Sequence, residues 1–79
     1  MKKRGYYVYV LRDGPEIVYY GITHDRERSI LEQKHLNKQW TNYSIVKGPL
    51  HRDHAEIEEK SIINFYQGSH GGKLPRYNL

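Results

Sequence analysis

Tyrosine supplies most of the chemically capable side chains in this chain. Eight of its ten aromatic residues are tyrosines, at positions 6, 7, 9, 19, 20, 43, 66 and 77. Each brings a hydroxyl wherever it brings a ring, so many of these phenols must be hydrogen-bonded or used. A phenol alone is a poor base, with a reference pKa of about 10; beside a cation or a hydrogen-bond partner it can position water or a phosphate. Carboxylates gather in Glu56-x-Glu58-Glu59-Lys60. Such a run is commonly a solvated helix face, yet one carboxylate with waters suffices to hold a hard divalent cation. Arg26 and Arg28 carry guanidinium groups able to grip phosphate oxygens with paired hydrogen bonds. Of the five histidines, His51 and His54 stand three apart and His70 follows in a loop, which completes no tetrahedral pattern. The chain has no cysteine, so disulfides and thiolate zinc sites are excluded.

The 79 residues have room for one small domain, spanning 1–79. Thirteen Lys and Arg against nine Asp and Glu give a net charge of +4, an excess that favours anionic partners. Lys2, Lys3 and Arg4 form a basic arm suited to phosphate contacts, and Lys73 with Arg76 supplies a second pair of cations near the other end. No stretch reaches the ~18 apolar residues of a membrane span, and no apolar segment follows the N-terminal charges. A cytoplasmic protein without membrane contact is the expectation.

The elements that must position these groups follow from pattern. Residues 6–11 and 17–22 are β-branched and aromatic and read as two strands. Asp13-Gly14-Pro15 between them reads as a five-residue hairpin loop over 12–16. A loop symmetric about Gly14 sets Tyr9 opposite Tyr19 and Tyr7 opposite Gly21, with both phenols on one sheet face; a two-residue turn at Asp13-Gly14 would separate them. Thr23 and Asp25 offer N-cap oxygens for a helix from Arg26 to about Leu36, with Ile30, Leu31 and Leu36 as its apolar side. Residues 42–47 form a short third strand that Gly48-Pro49 ends. Asp53 followed by Glu56 resembles a capping box opening a second helix over 54–66, with Ala55, Ile62 and Tyr66 on one face and Glu59 at the border of that seam. Residues 68–73 read as loop and 74–79 as an extended tail.

Tyr7-Val8-Tyr9, then Tyr19-Tyr20-Gly21, an Arg-bearing helix, a glutamate in Ala55-x-x-x-Glu59-x-x-x-Ile63 and a late Asn78 form an ordered set. Over roughly residues 5–79 this set resembles the GIY-YIG nuclease domain. The resemblance implies an α/β (α+β) fold, a small three-stranded antiparallel sheet flanked by helices. It also implies a metal-dependent endonuclease that hydrolyses DNA phosphodiester bonds. Carried over position by position, Tyr9 and Tyr19 match the two motif tyrosines and Gly21 the motif glycine. Glu59 matches the metal-binding glutamate, here for Mg²⁺ or Mn²⁺, and Asn78 matches the supporting asparagine. Tyr9 is the base candidate, while Tyr19 positions water or phosphate. The family's arginine and histidine places hold Ser29 and Gln33. Arg28, one residue early and so turned by about 100° on a helix, is the substitute phosphate clamp. His35 shares its face two turns on.

DNA is the partner implied, met through Lys3, Arg4, His24, Arg28, His35, Lys73 and Arg76. The chain has no room for a recognised DNA-reading motif, so specificity would come from a homodimer or an accessory protein. Two other readings fit the same sequence: a catalytically weakened nucleic-acid-binding module, and an interaction domain using the tyrosine face against a protein.

Overall fold

The computed structural model describes residues 5–36 and 38–78. Strand β1 (Tyr6–Asp13) and strand β2 (Glu16–Thr23) are followed by helix α1 (Arg26–His35), strand β3 (Asn42–Leu50) and helix α2 (Arg52–Ser69). The three strands form one antiparallel sheet in the order β2-β1-β3. The α+β architecture is the one expected. Lys3 and Arg4 lie outside the described residues.

The β1–β2 hairpin turns more tightly than its sequence suggested. Asp13 pairs with Glu16, so the connection is the two residues Gly14 and Pro15, not a five-residue loop. Gly14 takes the positive φ of 60° that this turn needs. The ladder then slips at Val18, an extra residue in β2 that faces no partner, because Arg12 pairs with Ile17 and Leu11 with Tyr19. Tyr9 consequently faces Gly21 instead of Tyr19. Since the register moved by an even number of residues, Tyr9 and Tyr19 still share a face, now as diagonal neighbours.

Alternation along β1 builds two unlike layers. Val8 and Val10 point to the side covered by α2, whose Ala55 is fully buried and whose Tyr66 meets the β2 residue Tyr20 edge-on at 6.3 Å between ring centroids. Tyr9 and Leu11 point to the other side, where Tyr19, Trp40, Tyr43, Ile45 and Tyr77 pack around them.

Helix α1 starts as expected: Asp25 caps it, accepting from the Arg28 N–H at 3.1 Å. Its apolar side chains are not what it buries. Leu31 and Leu36 are exposed, while the polar Ser29 and Gln33 face inward. The reason lies opposite them: they meet phenol hydroxyls on the sheet, so a polar side chain is what this surface accommodates.

Helix α2 departs from the capping box. Its N-cap is His51, without a side-chain bond, and Asp53 lies in the first turn, where a carboxylate complements the helix dipole. Glu56 bonds to Arg52 at 3.1 Å instead of reaching back to a cap. The helix also runs on through Gly68 and Ser69, which the sequence placed in a loop. Strand β3 likewise does not end at Gly48-Pro49 but continues through a cis Gly48–Pro49 peptide to Leu50. β3 is an edge strand with two register irregularities against β1, and an edge tolerates a residue lacking an N–H.

The tail is stitched to the free edge of β2. Tyr77 donates its N–H to the Val18 carbonyl at 2.8 Å. The Asn78 amide accepts from the Tyr20 N–H at 2.8 Å and donates to the Tyr20 carbonyl at 2.9 Å.

Candidate active site

The site grows from one missing Cβ. A methyl placed on Gly21 would stand 2.5 Å from Tyr9 Oη, 2.6 Å from Tyr9 Cζ and 2.8 Å from Tyr19 Cε2. Only glycine lets the two phenols close over β2, where their ring centroids are 6.0 Å apart. Tyr9 is also stacked on Tyr43 of β3, with centroids 4.7 Å apart and planes 12° from parallel. The central tyrosine is thus clamped between neighbours on both adjacent strands.

Helix α1 closes this face with its two inward polar residues. Gln33 Nε2 donates to Tyr9 Oη at 2.9 Å. Burial raises the pKa of the Tyr9 and Tyr43 phenols, and nearby Ser29 offsets part of that rise in each. The Tyr43 hydroxyl is nevertheless buried and makes no hydrogen bond of good geometry among the described residues. Gln33 is itself held at both ends, since its carbonyl accepts from Trp40 Nε1 at 3.3 Å and its Oε1 accepts from Lys38 Nζ at 2.9 Å. Lys38 lies over the Tyr19 ring, 3.8 Å from the centroid. Sequence reading missed Lys38, Tyr43 and Trp40 as members of this face. They sit outside every motif, and only tertiary packing brings them to Tyr9.

Burial sets the protonation of the phenols. Desolvation pushes the Tyr9 pKa far above the ordinary tyrosine value, more than the Ser29 and Gln33 contacts pull it back. Tyr19 is raised first by burial and then by the negative charge of Glu59. Both are neutral near pH 7. Without a nearby cation Tyr9 holds its proton and can donate it in a hydrogen bond; service as a base would call on such a cation.

Glu59 lies one turn beyond buried Ala55 on the sheet-facing side of α2, and Tyr19 feels its charge. Because β2 is an edge strand, groups from the two faces of the sheet can meet around it. The Glu59 carboxyl is raised from its usual value by burial and by nearby Glu56. Glu58 pairs with Lys47 at 3.3 Å and contacts His54 at 3.6 Å, whereas Glu59 makes no ion pair among the described residues. A half-buried carboxylate that forms no ion pair among the described residues, felt by Tyr19 and only eased by the Lys60 charge, could supply oxygen ligands to a hard divalent cation. No group of three His, Cys, Asp or Glu side chains surrounds a common point among the described residues, so water would supply the rest of the shell.

The other expected residues lie elsewhere. Arg28 turns outward, 74% exposed, and bonds Glu32 at 3.0 Å. It lines an open cleft of about 430 Å³ with Tyr6, His24 and Arg52 and with the acidic Asp25 and Glu32. His24 leans on the Tyr6 ring at 5.4 Å. His35 is exposed in the last turn of α1, and Lys73 is exposed beyond α2. Arg76 bonds Glu16 at 2.7 Å and approaches Asp13 at 3.8 Å, which ties it to the hairpin turn. Asn78 acts on the Tyr20 backbone and so supports β2 from its edge.

Compared with known proteins, the chain matches no family model, and no curated protein or solved structure resembles it at a significant level. No helix among the described residues is long and apolar enough to cross a membrane.

Proposed function

We propose that this chain is a GIY-YIG-like endonuclease that uses a divalent cation, Mg²⁺ or Mn²⁺, to hydrolyse DNA phosphodiester bonds in the cytoplasm. The observation that carries the reading is the closure of Tyr9 and Tyr19 over Gly21, with the Glu59 charge felt at Tyr19. Two neutral phenols close where a single methyl would block them, and a carboxylate in no ion pair among the described residues lies within electrostatic range of one of them.

The roles follow from these states. Glu59 offers the ligand oxygens. A cation bound there would lower the pKa of a coordinated water and offset charge developing on the phosphate. Tyr9, fixed by Gln33, and Tyr19 present hydroxyls that orient water or donate to a phosphate oxygen. His24, Arg28 and Arg52 in the neighbouring cleft hold the DNA backbone, with Lys73 and the N-terminal Lys3 and Arg4 adding screened, salt-sensitive attraction. A single metal site cuts one strand at a time, so double-strand cleavage would call on a homodimer or an accessory protein.

One observation favours a second reading. The inward positions of α1 carry uncharged Ser29 and Gln33, which fits a catalytically weakened module that binds nucleic acid. Incubating supercoiled plasmid with Mg²⁺ or Mn²⁺ separates the two. Nicking that is abolished by EDTA and by Glu59→Ala is the expected result. Binding of intact DNA without nicking at high protein concentration would leave only the second reading.

A further inference from the structure

Arg28 was the residue expected to stand in for a missing guanidinium, and it is neither near the phenols nor free of a counter-charge. Another cation is near them. Lys38 Nζ sits 3.8 Å from the Tyr19 ring centroid and donates to Gln33 Oε1 at 2.9 Å, while the other end of that amide donates to Tyr9 Oη at 2.9 Å. The same ammonium lies 6.0 Å from the Tyr77 ring. It therefore touches one candidate phenol directly and the other through a single side chain.

Resting on the nuclease reading above, we propose that Lys38 is the phosphate-contacting cation of the Tyr9–Tyr19 site, taking the DNA phosphodiester in place of the displaced arginine.

Three features support the assignment. First, the partners of the Lys38 ammonium are an amide oxygen and aromatic faces, and none of these cancels its charge. Among the described residues no carboxylate pairs with it, whereas Arg28 is bonded to Glu32, Arg52 to Glu56 and Arg76 to Glu16. An ammonium has three donors, so the one spent on Gln33 leaves others for phosphate oxygens. Second, the segment carrying Lys38 is anchored all round. The Gln39 N–H donates to Tyr77 Oη at 2.9 Å, Trp40 Nε1 to the Gln33 carbonyl, and the Thr41 N–H to the Arg12 carbonyl at 2.7 Å. A cation placed in advance costs little ordering when the anion arrives. Third, burial already lowers the Lys38 pKa, the signature of a partly desolvated charge that an anion would compensate. Glu59 and Lys38 both act on Tyr19, so a phosphate beside that phenol would have a metal ligand and an ammonium within its surroundings.

The test compares wild type with Lys38→Met, which keeps the stem and removes the charge, and Lys38→Arg, which restores charge. Binding to a short DNA duplex in EDTA is measured across a salt series, and nicking of supercoiled plasmid is measured with Mn²⁺. Lys38→Met is expected to reduce the slope of log K against log salt by about 0.9, the value of one phosphate contact on B-form DNA. Its nicking rate is expected to fall about 100-fold, the scale of losing one preorganised charge-stabilising donor. Lys38→Arg keeps the salt slope. A merely structural lysine would change melting temperature without changing that slope.

In the wild-type protein, which needs no variant to fold, the Lys38 side-chain NMR signals are expected to shift on adding the duplex. If those signals do not move, or if Lys38→Met keeps both slope and rate, the assignment is overturned while the nuclease reading stands. A wild type that neither binds nor nicks DNA overturns both.

Discussion

Val10 and Tyr9 are consecutive residues of β1, and the two faces they serve are built on opposite principles. On the Val10 side, Val8 and Val10 are almost wholly buried and Ala55 lets α2 lie close, so exclusion of water from apolar surface holds the layers together. On the Tyr9 side, Leu11, Ile45 and Trp40 supply apolar packing too, but a phenol with 3% exposure is met by the Gln33 amide and a nearby serine, and Lys38 bonds the other end of that amide, so a polar network runs through the layer. A fold that needed only a core would have no use for the second arrangement, because each polar group there carries a desolvation cost that valine would avoid. The difference is what the nuclease proposal draws on, since its candidate groups lie on the Tyr9 side.

The largest effect is expected from the residue that permits the polar face to close. Gly21→Ala should cost about 1–3 kcal/mol through overpacking and displace both phenols. Nicking per folded molecule should drop below detection, read by denaturant melts beside a plasmid assay. Next comes Val10→Thr, a near-isosteric change that puts a hydroxyl on the dry face. It should destabilise by about 1–3 kcal/mol while leaving nicking per folded molecule intact. Its counterpart on the polar face, Tyr9→Phe, removes a hydroxyl and leaves Gln33 Nε2 without its acceptor; it should cost about 1–3 kcal/mol while nicking is lost. If the two substitutions had the same effect on activity, the distinction between the faces would collapse.

A smaller effect comes from the protonation of Glu59. Its folded-state pKa is raised above the ordinary value of 4.5, so the folded protein holds the proton more tightly than the unfolded chain. The stabilisation from this group is full below about 4.5 and is lost as pH rises through the raised value. Glu59→Gln should therefore melt at a slightly higher temperature than wild type at pH 7, without added metal, and show little difference at pH 4. The same substitution should lower the Tyr19 pKa, which spectrophotometric titration of the tyrosines would report.

Much of the fold was legible because strand and helix patterns are local. The β-branched and aromatic runs, the Asp25 cap and the breaker-free helices all carried through. The shared face of Tyr9 and Tyr19 also carried through, although by a different route. A tighter turn and the slip at Val18 together moved the register by two, and a two-residue shift preserves side-chain parity. Where the local reading failed, sheet position or a competing local contact was the reason. Edge position let β3 run through Pro49, and Arg52 drew Glu56 away from the expected cap.

The candidate site divides in the same way. Tyr9, Tyr19 and Gly21 were visible as a motif, whereas Lys38 belongs to a connection with no periodicity. Its place depends on Gln33 at the end of α1, on Trp40 in the same connection, and on Tyr77 in the distant tail. Ser29 and Gln33 were noticed as departures, but that they face the sheet while Leu31 faces solvent follows only from the phenols opposite them.

The central claim is that Glu59 and the two phenols form one metal-dependent site. Titrating substoichiometric Mn²⁺ into protein carrying ¹³C-labelled tyrosine at neutral pH tests it directly, since a bound paramagnetic ion broadens the signals of nearby nuclei. The account predicts selective broadening of Tyr19 and then Tyr9 in the wild type, abolished in Glu59→Gln. Uniform broadening of all tyrosines, or the same selective pattern in Glu59→Gln, would contradict it.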